Sequence, residues 1–300
     1  MEPTVQVMMS TYNGEKYLRE QIDSVIRQEE INVRLLVRDD GSSDATQSIL
    51  DDYQRRGLLE WKQGNNIGWA ESFMQLVREA PDADFYALCD QDDVWLPDKL
   101  KAAVSHLNTM GEGRNLYGSN LHYYKNGACE GLVYQGNRAT PLAQGLIRCM
   151  TAGCTMVFNR TLRDALRAHP PQFIFAHDFW IYTVALATGH VCYDEESHIL
   201  YRQHENNQIG DKRTAWEIWM RRAKEMKTIG RQHDRERMAT ELLRCFGGDM
   251  SSENLDIVDT VANYRHSLRK KMRLLSSSRF TTGNVSNDFW LKLRILFNRL

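Results

Sequence analysis

The chain has 300 residues, 42% of them hydrophobic and 26% charged, which suits one large globular domain with an appendage. No stretch approaches the roughly 20 consecutive apolar residues of a membrane-spanning helix, so an integral membrane protein is not expected. The net charge of −1 hides an asymmetry: residues 1–211 carry 19 Lys and Arg against 29 Asp and Glu, and residues 212–300 carry 19 against 10. The acidic body contains no recognition motif, which argues against a nucleic-acid partner.

Apolar segments alternate with helical patterns through the first 110 residues. The predicted strands are residues 4–10, 33–40, 57–62 and 84–90, and the predicted helices are 15–27, 43–54, 68–80 and 96–110. Strands that alternate with helices of this length predict an α/β fold, in which helices flank a mostly parallel sheet on both faces.

The pattern becomes less regular beyond residue 110. Further strands are expected at 115–124, 131–136, 153–159 and 197–210, and further helices at 161–169 and 177–189, the latter starting at His177 or Asp178. From about residue 212 onward the chain is predicted to be helical. We therefore divide it into a body of residues 1–211 and a helical, basic extension of residues 212–300.

Polar clusters follow three of the predicted strands. They are "STYNG" at 10–14, "RDDGSSD" at 38–44 and "DQDD" at 90–93. Ligands of open parallel sheets bind at the carboxyl ends of the strands, which meet at one edge. We therefore expect these three clusters to form one site.

The aspartates of "DQDD" indicate a metal site. In an extended segment the side chains of Asp90 and Asp92 point the same way, and paired carboxylates suit a hard divalent cation such as Mg²⁺ or Mn²⁺. A bound cation converts the repulsion between such groups into attraction. The alternative is a solvated acidic turn before the helix that starts near Pro97.

Several segments carry a family resemblance. "STYNGEKYLREQIDSVIRQ", "VRDDGSSDAT", "GNNIGWAESF" and "LCDQDDVWLPDKL" resemble, in order and spacing, the motifs of family-2 inverting glycosyltransferases, which have the Rossmann-like GT-A fold. The similarity covers about residues 4–110 and continues more loosely through "HDFW" and "YRQHENN". The form that these motifs take in this chain resembles bacterial rhamnosyltransferases of surface-polysaccharide assembly. The resemblance implies transfer of a sugar from a nucleotide-diphospho-sugar.

The resemblance implies a role for each matching residue near the nucleotide. Thr11, Tyr12 and Asn13 are expected to line the nucleotide pocket. Asp39 or Asp40 is expected to accept a hydrogen bond from the imide N–H of uracil or thymine, as in a UDP- or dTDP-sugar. The alternative for these aspartates is turn formation around Gly41, and one of the two is free to do only that.

Further residues match positions around the diphosphate and sugar. Asn66 and Gly68 are expected to shape the floor beneath the donor, Asp90 to contact the ribose or metal, and Asp92 to ligate the cation. Asp93 is expected to support this site or touch the sugar.

Two residues at the end of the resemblance have open roles. His204 is a candidate ligand of the metal or diphosphate, although a lone histidine is usually structural or solvated. Arg202 is an alternative diphosphate ligand, through paired hydrogen bonds.

Inverting transfer requires a carboxylate that removes a proton from the acceptor hydroxyl. Asp178 matches the family's base, whereas His177 departs from the glutamate usual at its position. The alternative for Asp178 is a helix N-cap. The resemblance further implies L-rhamnose from dTDP-L-rhamnose as the donor and a lipopolysaccharide, O-antigen or other surface-glycan hydroxyl as the acceptor.

Two other functions are alternatives to a glycosyltransferase. A sugar nucleotidyltransferase also combines an α/β sheet with acidic metal ligands, but it should show a glycine-rich basic phosphate loop, which "STYNGEKYL" does not supply. A non-catalytic sugar-binding protein is disfavoured because Asp90, Asp92 and Asp178 are all present.

The C-terminal residues mix positive charge with large apolar side chains. "LRKKMR" at 268–273 and "DFWLKLRILFNRL" at 288–300 fit either a basic amphipathic helix on an anionic membrane or a helix packed on the body. "MEPTVQVMMS" lacks the basic start and apolar centre of a signal peptide. We expect a cytoplasmic protein that is peripheral to the inner face of the membrane under the first alternative.

Overall fold

The computed structural model describes residues 2–125, 127–136, 138, 140–203 and 233–300. The strands are β1 (Thr4–Thr11), β2 (Asn32–Asp39), β3 (Glu60–Gln63), β4 (Phe85–Cys89), β5 (Val94–Trp95), β6 (Asn115–Lys125), β7 (Ala128–Leu132), β8 (Val157–Asn159) and β9 (His190–Arg202). The helices are α1 (Leu18–Ile26), α2 (Thr46–Arg55), α3 (Trp69–Glu79), α4 (Lys99–Thr109), α5 (Leu142–Gly145), α6 (Arg160–Ala168), α7 (His177–Thr188), α8 (Asp234–Phe246), α9 (Ser252–Ala262), α10 (Leu268–Ser276) and α11 (Val285–Leu296).

The strands form one sheet in the order β3-β2-β1-β4-β8-β6-β9-β5, with β7 paired to β6. The pairs among β3, β2, β1 and β4 are parallel, as is β6 with β9, whereas β8 and β5 join antiparallel. The predicted α/β fold with a mostly parallel, helix-flanked sheet is confirmed.

Two apolar cores cover the two faces of the sheet. Successive side chains of a strand point to opposite faces, so Val7 and Met9 of β1 join the core with α1, α2 and α4, whereas Met8 joins the other. That second core contains α3, α6 and α7, and it extends to buried residues of α8 to α11 such as Leu242 and Ile295. The C-terminal helices thus pack on the α/β body.

Several element boundaries differ from the predictions. The short β5 follows the acidic loop directly and was not predicted, and β9 begins at His190 rather than near residue 197. Helix α7 begins at His177, but its N-cap is Ala176, without a side-chain cap. The predicted start at His177 is thus confirmed, and the alternative role of Asp178 as the N-cap does not apply, because Asp178 lies inside the first turn.

The predicted division at residue 211 falls within residues 204–232, outside the described part of the chain, as does His204. Among the described residues, we find no helix that combines the length and apolarity needed to cross a bilayer.

Candidate active site

The loops after β1, β2 and β4 meet at one edge of the sheet, as the sequence predicted. Gln91 joins the first and third of them: its Oε1 accepts hydrogen bonds from Thr11 Oγ1 at 2.6 Å and from the Tyr12 amide at 2.9 Å, and its Nε2 donates to Tyr12 O. A Cβ on Gly14 would lie 2.4 Å from Gln91 Oε1, so a larger residue would displace the Gln91 side chain. Gln91 was not among the residues predicted for the site.

The second loop is held to the first by Asn13. Its amide donates to Ser42 Oγ and its Oδ1 accepts from the Ser43 amide, both at 2.9 Å. Thr11 is buried at the end of β1, whereas Tyr12 is about half exposed and lies beside the site. Thr11, Tyr12 and Asn13 therefore lie together at the end of β1, and their lining of a nucleotide pocket stays a prediction.

Asp39 and Asp40 are both buried, but their surroundings differ. Asp39 accepts hydrogen bonds from the Ser42 amide and hydroxyl and from Gln47 Nε2. Asp40 forms an ion pair with the buried Arg38. Two carboxylate oxygens offer about four acceptor positions, so Asp39 keeps capacity for a further donor.

Asp40 has a structural role that accounts for its burial. Its carboxylate accepts hydrogen bonds from the amides of Ile67 and Gly68, in addition to its bond to Arg38. It thereby fixes the loop that carries Asn66, whose Oδ1 also accepts from the Gly68 amide. Gly68 has a φ of 82°, which favours glycine, and helix α3 begins directly after it.

The acidic loop bends at Gln91 and Asp92, so the extended geometry expected for it is wrong. Carboxylate oxygens of Asp90 and Asp93, together with Cys154 Sγ, lie within 4.8 Å of one another. Asp92 lies near enough to raise the pKa of both neighbouring aspartates. The bend thus brings Asp93 into one cluster with Asp90.

The electrostatics of this cluster favour a cation. Burial, reinforced by the Asp92 and Asp178 carboxylates, raises the pKa of Asp90 to about 7. Asp93 Oδ2 is buried and has no hydrogen-bond partner within the described residues. Carboxylate oxygens are ligands for Mg²⁺ and Mn²⁺, whereas burial raises the pKa of the Cys154 thiol well above its usual value, and Cys154 adds no hard ligand. The acidic loop therefore fits a divalent cation.

Arg202 lies against the acidic loop and forms hydrogen bonds with it. Its amide donates to Asp93 Oδ1 at 3.1 Å, and its Nε donates to the Asp92 carbonyl at 2.8 Å. Its guanidinium also pairs with Glu20 and stacks over Tyr17. Arg202 thus holds the acidic loop in its bent form, and its role as a ligand of the diphosphate stays a prediction.

A cavity of about 320 Å³ adjoins the acidic loop, and Asp90 and Asp178 both line it. Its other walls are largely aromatic or sulfur-containing, and none of them was predicted: Trp69, Phe73, Tyr134, Cys149, Cys154 and Tyr201. Asp178 lies in the first turn of α7, where its Oδ1 accepts a hydrogen bond from the Phe179 amide at 2.7 Å. Its Oδ2 has no hydrogen-bond partner in the described ranges, so one oxygen remains available to a substrate.

His177 forms an apolar wall of the same cavity. Its ring stacks on Phe73 at 4.1 Å and meets Trp69 edge-on at 5.3 Å, and neither ring nitrogen has a hydrogen-bond partner in the described part of the chain. Burial lowers the pKa of His177 to about 4, so the ring is neutral near pH 7. His177 therefore brings no charge to the cavity beside Asp178.

Comparisons with known proteins agree with this arrangement. A family model described as "Glycosyl transferase family 2" matches residues 6–164. A dTDP-rhamnosyl transferase RfbG of Shigella flexneri is 31% identical over 219 residues, which cover 67% of this chain and 73% of that protein. An uncharacterized glycosyltransferase of Rickettsia typhi is 22% identical over 243 residues, which cover 76% and 74%.

Two solved structures show the same fold. Residues 1–349 of Staphylococcus aureus TarS, in complex with UDP, superpose with a TM-score of 0.59 at 17% identity, over 92% of this chain and 73% of that one. The mannosyltransferase PcManGT of Pyrobaculum calidifontis, in complex with GDP-Man and Mn²⁺, gives a TM-score of 0.52 at 16% identity, over 99% and 87%.

Proposed function

Because this chain belongs to glycosyl transferase family 2 and has the GT-A fold, we propose that it is a cation-dependent, inverting rhamnosyltransferase. The donor would be dTDP-L-rhamnose and the acceptor a hydroxyl of lipopolysaccharide, O-antigen or another surface glycan. The observation that carries the proposal is the cavity in which Asp178 faces the acidic loop through Asp90. Membership of the family removes the nucleotidyltransferase and the non-catalytic sugar-binding protein as alternatives.

The nucleotide would bind over the ends of β1 and β2. Thr11, Tyr12 and Asn13 would line its pocket, and Asp39 would accept the imide N–H of thymine or uracil with its remaining acceptor position. Asp40 is ion-paired with the buried Arg38 and holds the loop of Ile67 and Gly68 through their backbone amides, so its role would be to shape the pocket. The similarity to a dTDP-rhamnosyl transferase of Shigella flexneri supports a dTDP-sugar.

Asp90, Asp92 and Asp93 would hold the divalent cation, with Arg202 fixing their loop. A cation bound there supplies positive charge that stabilises the departing nucleoside diphosphate. Asn66 and Gly68 would form the floor beneath the donor. The Mn²⁺ in the complex of the Pyrobaculum calidifontis mannosyltransferase supports this choice of cofactor. His204 stays a candidate ligand.

Asp178 would act as the general base. Its available oxygen would accept the proton of the acceptor hydroxyl while that oxygen attacks the anomeric carbon from the face opposite the leaving diphosphate. The new glycosidic bond forms as the bond to the diphosphate breaks, so the anomeric configuration inverts. The aromatic walls at Trp69 and Phe73 would exclude water and suit the methyl group of a 6-deoxy sugar.

The body of residues 1–211 would hold the donor and catalytic machinery, and the C-terminal extension would bind the inner leaflet of the cytoplasmic membrane. One face of α11 exposes Val285, Phe289, Lys292 and Leu296, which recur at helical spacing. Residues 267–300 contain eight Lys and Arg against one acid, Asp288. Exposed apolar side chains with basic neighbours match an anionic lipid surface.

Binding of the extension to a membrane can be tested without unfolding it. Deleting α11 would remove the buried Leu291 and Ile295, so substitution is preferable. Phe289→Ser with Leu296→Ser should reduce co-sedimentation with vesicles that contain phosphatidylglycerol, whereas Leu255→Ser, an exposed site on α9, should not. Equal sedimentation of all three proteins would leave α11 as a helix that only packs on the body.

Calorimetry and a donor panel test the proposed function. The parent should bind dTDP or UDP more tightly with Mn²⁺ than with EDTA, and it should release dTDP from dTDP-L-rhamnose faster than UDP from UDP-hexoses. Asp92→Asn and Asp93→Asn should each remove the effect of Mn²⁺ on binding. Cation-independent binding in the parent, or preference for a hexose donor, would overturn the corresponding part of the proposal.

A further inference from the structure

A second cavity, of about 220 Å³, lies beside the catalytic one and contains three arginines. Arg148 follows α5, Arg235 lies in the first turn of α8, and Arg294 lies in the last turn of α11, so three separate segments bring these cations together. The remaining walls are mostly apolar, with two polar side chains: Ile147, Thr282, Asn287, Trp290, Leu291 and Leu300. We call this space the arginine cavity.

Two of the three cations of the arginine cavity are poorly compensated. Neither Arg148 nor Arg235 has a carboxylate within 4.0 Å among the described residues, whereas other arginines of the C-terminal region, such as Arg273 and Arg279, form ion pairs. Arg235 Nη1 is buried without a hydrogen-bond partner in the same ranges. Gathering like charges without counter-ions costs free energy that a bound anion recovers.

Arg235 is held in place by aromatic rings rather than by an acid. Its guanidinium stacks over Phe179 at 4.4 Å and over Phe175 at 5.2 Å from the ring centroids. Stacking fixes the plane of the guanidinium while its N–H groups stay available for hydrogen bonds. Burial lowers its pKa to about 10, and the nearby Arg294 cation contributes, yet the side chain stays charged at neutral pH.

The arginine cavity is adjacent to the catalytic cavity. Arg148 lines the first and its chain neighbour Cys149 lines the second, so the segment 148–149 separates the two. Phe179, on which Arg235 stacks, follows Asp178 directly. The fields of Asp178 and Arg235 both act on Cys149 and shift its pKa in opposite directions. An anion in the arginine cavity would therefore lie close to the general base, on the side of α7 and α11.

We propose that the arginine cavity binds a phosphate or diphosphate group of the acceptor substrate. This rests on the proposed function, since it makes the acceptor an anionic phosphate ester. Arginine guanidinium groups bind phosphate oxygens through paired, charge-assisted hydrogen bonds, and Trp290 and Leu291 offer an apolar surface to the group attached to the phosphate. The donor diphosphate would remain at the acidic loop, where the cation binds.

The test measures anion binding while the cation site is disabled. Inorganic pyrophosphate and geranyl diphosphate are titrated calorimetrically in EDTA into the parent, Arg148→Gln and Arg235→Gln. Loss of one charge-assisted hydrogen bond should weaken both probes about tenfold or more. Pyrophosphate represents the free anion and geranyl diphosphate a lipid-linked one, and tighter binding of the latter assigns the apolar walls to the attached group.

A matched control variant shows whether a loss of probe binding is specific to the arginine cavity. Arg237→Gln, an exposed position on the same helix as Arg235, should bind both probes like the parent. Far-ultraviolet circular dichroism and binding of UDP with Mn²⁺ should be unchanged in every variant. The variants that change the arginine cavity should also keep the donor affinity.

Three results would overturn the proposal. They are the absence of saturable binding in the parent, equal losses in the cavity variants and in Arg237→Gln, and displacement of geranyl diphosphate by UDP at a fixed free Mn²⁺ concentration. The last would place the probe in the donor site. Failure of UDP to bind the parent with Mn²⁺ would instead overturn the proposed function, so the two failures can be told apart.

Discussion

Asp178→Asn separates the chemical role of Asp178 from its structural role. The carboxylate lies in the first turn of α7, where a negative charge stabilises the helix by about 0.3–1 kcal/mol. The same charge repels Asp90 across the shared cavity and contributes to the raised pKa of that group. Removing the charge loses its stabilisation of the helix but also relieves its repulsion of Asp90. We therefore expect the free energy of unfolding to change by less than about 1 kcal/mol.

The expected effect on turnover is much larger. Loss of a general base lowers the rate by about 10²–10⁴-fold, which corresponds to roughly 3–5 kcal/mol in the activation free energy. The asparagine keeps the size of the side chain and its acceptor for the Phe179 amide. Binding of the nucleotide should therefore stay near the parental level, because the base faces the acceptor rather than the diphosphate.

The assay is release of the nucleoside diphosphate at saturating donor and acceptor, with thermal unfolding and binding of UDP with Mn²⁺ measured in parallel. Glu253→Gln is the matched control, because it removes a first-turn carboxylate from α9, away from the site. A mutant that keeps more than about a tenth of the parental rate would refute the assignment. Parallel loss of UDP binding would show a structural role instead.

Gly14→Ala should weaken UDP binding, because the new methyl group displaces Gln91, whereas Gly248→Ala, which meets no atom within 4 Å, should bind normally in calorimetry. His198 forms hydrogen bonds with two aspartates, and these bonds, chiefly the one with Asp194, raise its pKa. Their stabilisation of the folded protein is therefore complete below the unfolded pKa of about 6.5, and it is lost as the pH rises through the pKa of His198 in the folded state. The melting temperature of the parent should therefore exceed that of His198→Gln by more at pH 6 than at pH 9, and a constant difference would contradict this. Asn159→Ala removes the N-cap of α6 and two further hydrogen bonds, so urea unfolding should show that the free energy of unfolding falls by about 2–3 kcal/mol. A fall below about 1 kcal/mol would mean that water replaces these hydrogen bonds.

The edge of the sheet that carries the site was predictable, because it follows from the hydrophobic periodicity of the segments and from the order of strands and helices along the chain. Alternating strands and helices imply parallel strands, and parallel strands bring their carboxyl ends together. Thr11, Asp39 and Asp90 therefore appear at one edge although 79 residues separate the first from the last. The distinction between Asp39 and Asp40 depends on Arg38, which lies two residues before Asp40 and forms an ion pair with it.

The detailed geometry of the acidic loop could not be predicted for a different reason. The rule that alternate side chains share a face holds only for extended backbone, and the chain bends at Gln91 and Asp92. A bend in an irregular loop has no periodic signature. The aromatic cavity walls were also missed, because Trp69, Tyr134 and Tyr201 come from distant segments, and each alone resembles an ordinary core residue.

His177 shows how the local packing simplifies the chemistry of the site. Its ring fills the space between Phe73 and Trp69, and a Cβ on Gly153 would lie 2.9 Å from its Nε2, so the backbone there approaches as closely as glycine allows. A glutamate in this place would add a carboxylate beside Asp178, in an apolar wall where its charge would be costly. The histidine stays neutral because burial lowers its pKa to about 4. The neutral ring of His177 thus contributes no charge beside Asp178, and the assignment of the base depends on Asp178 alone.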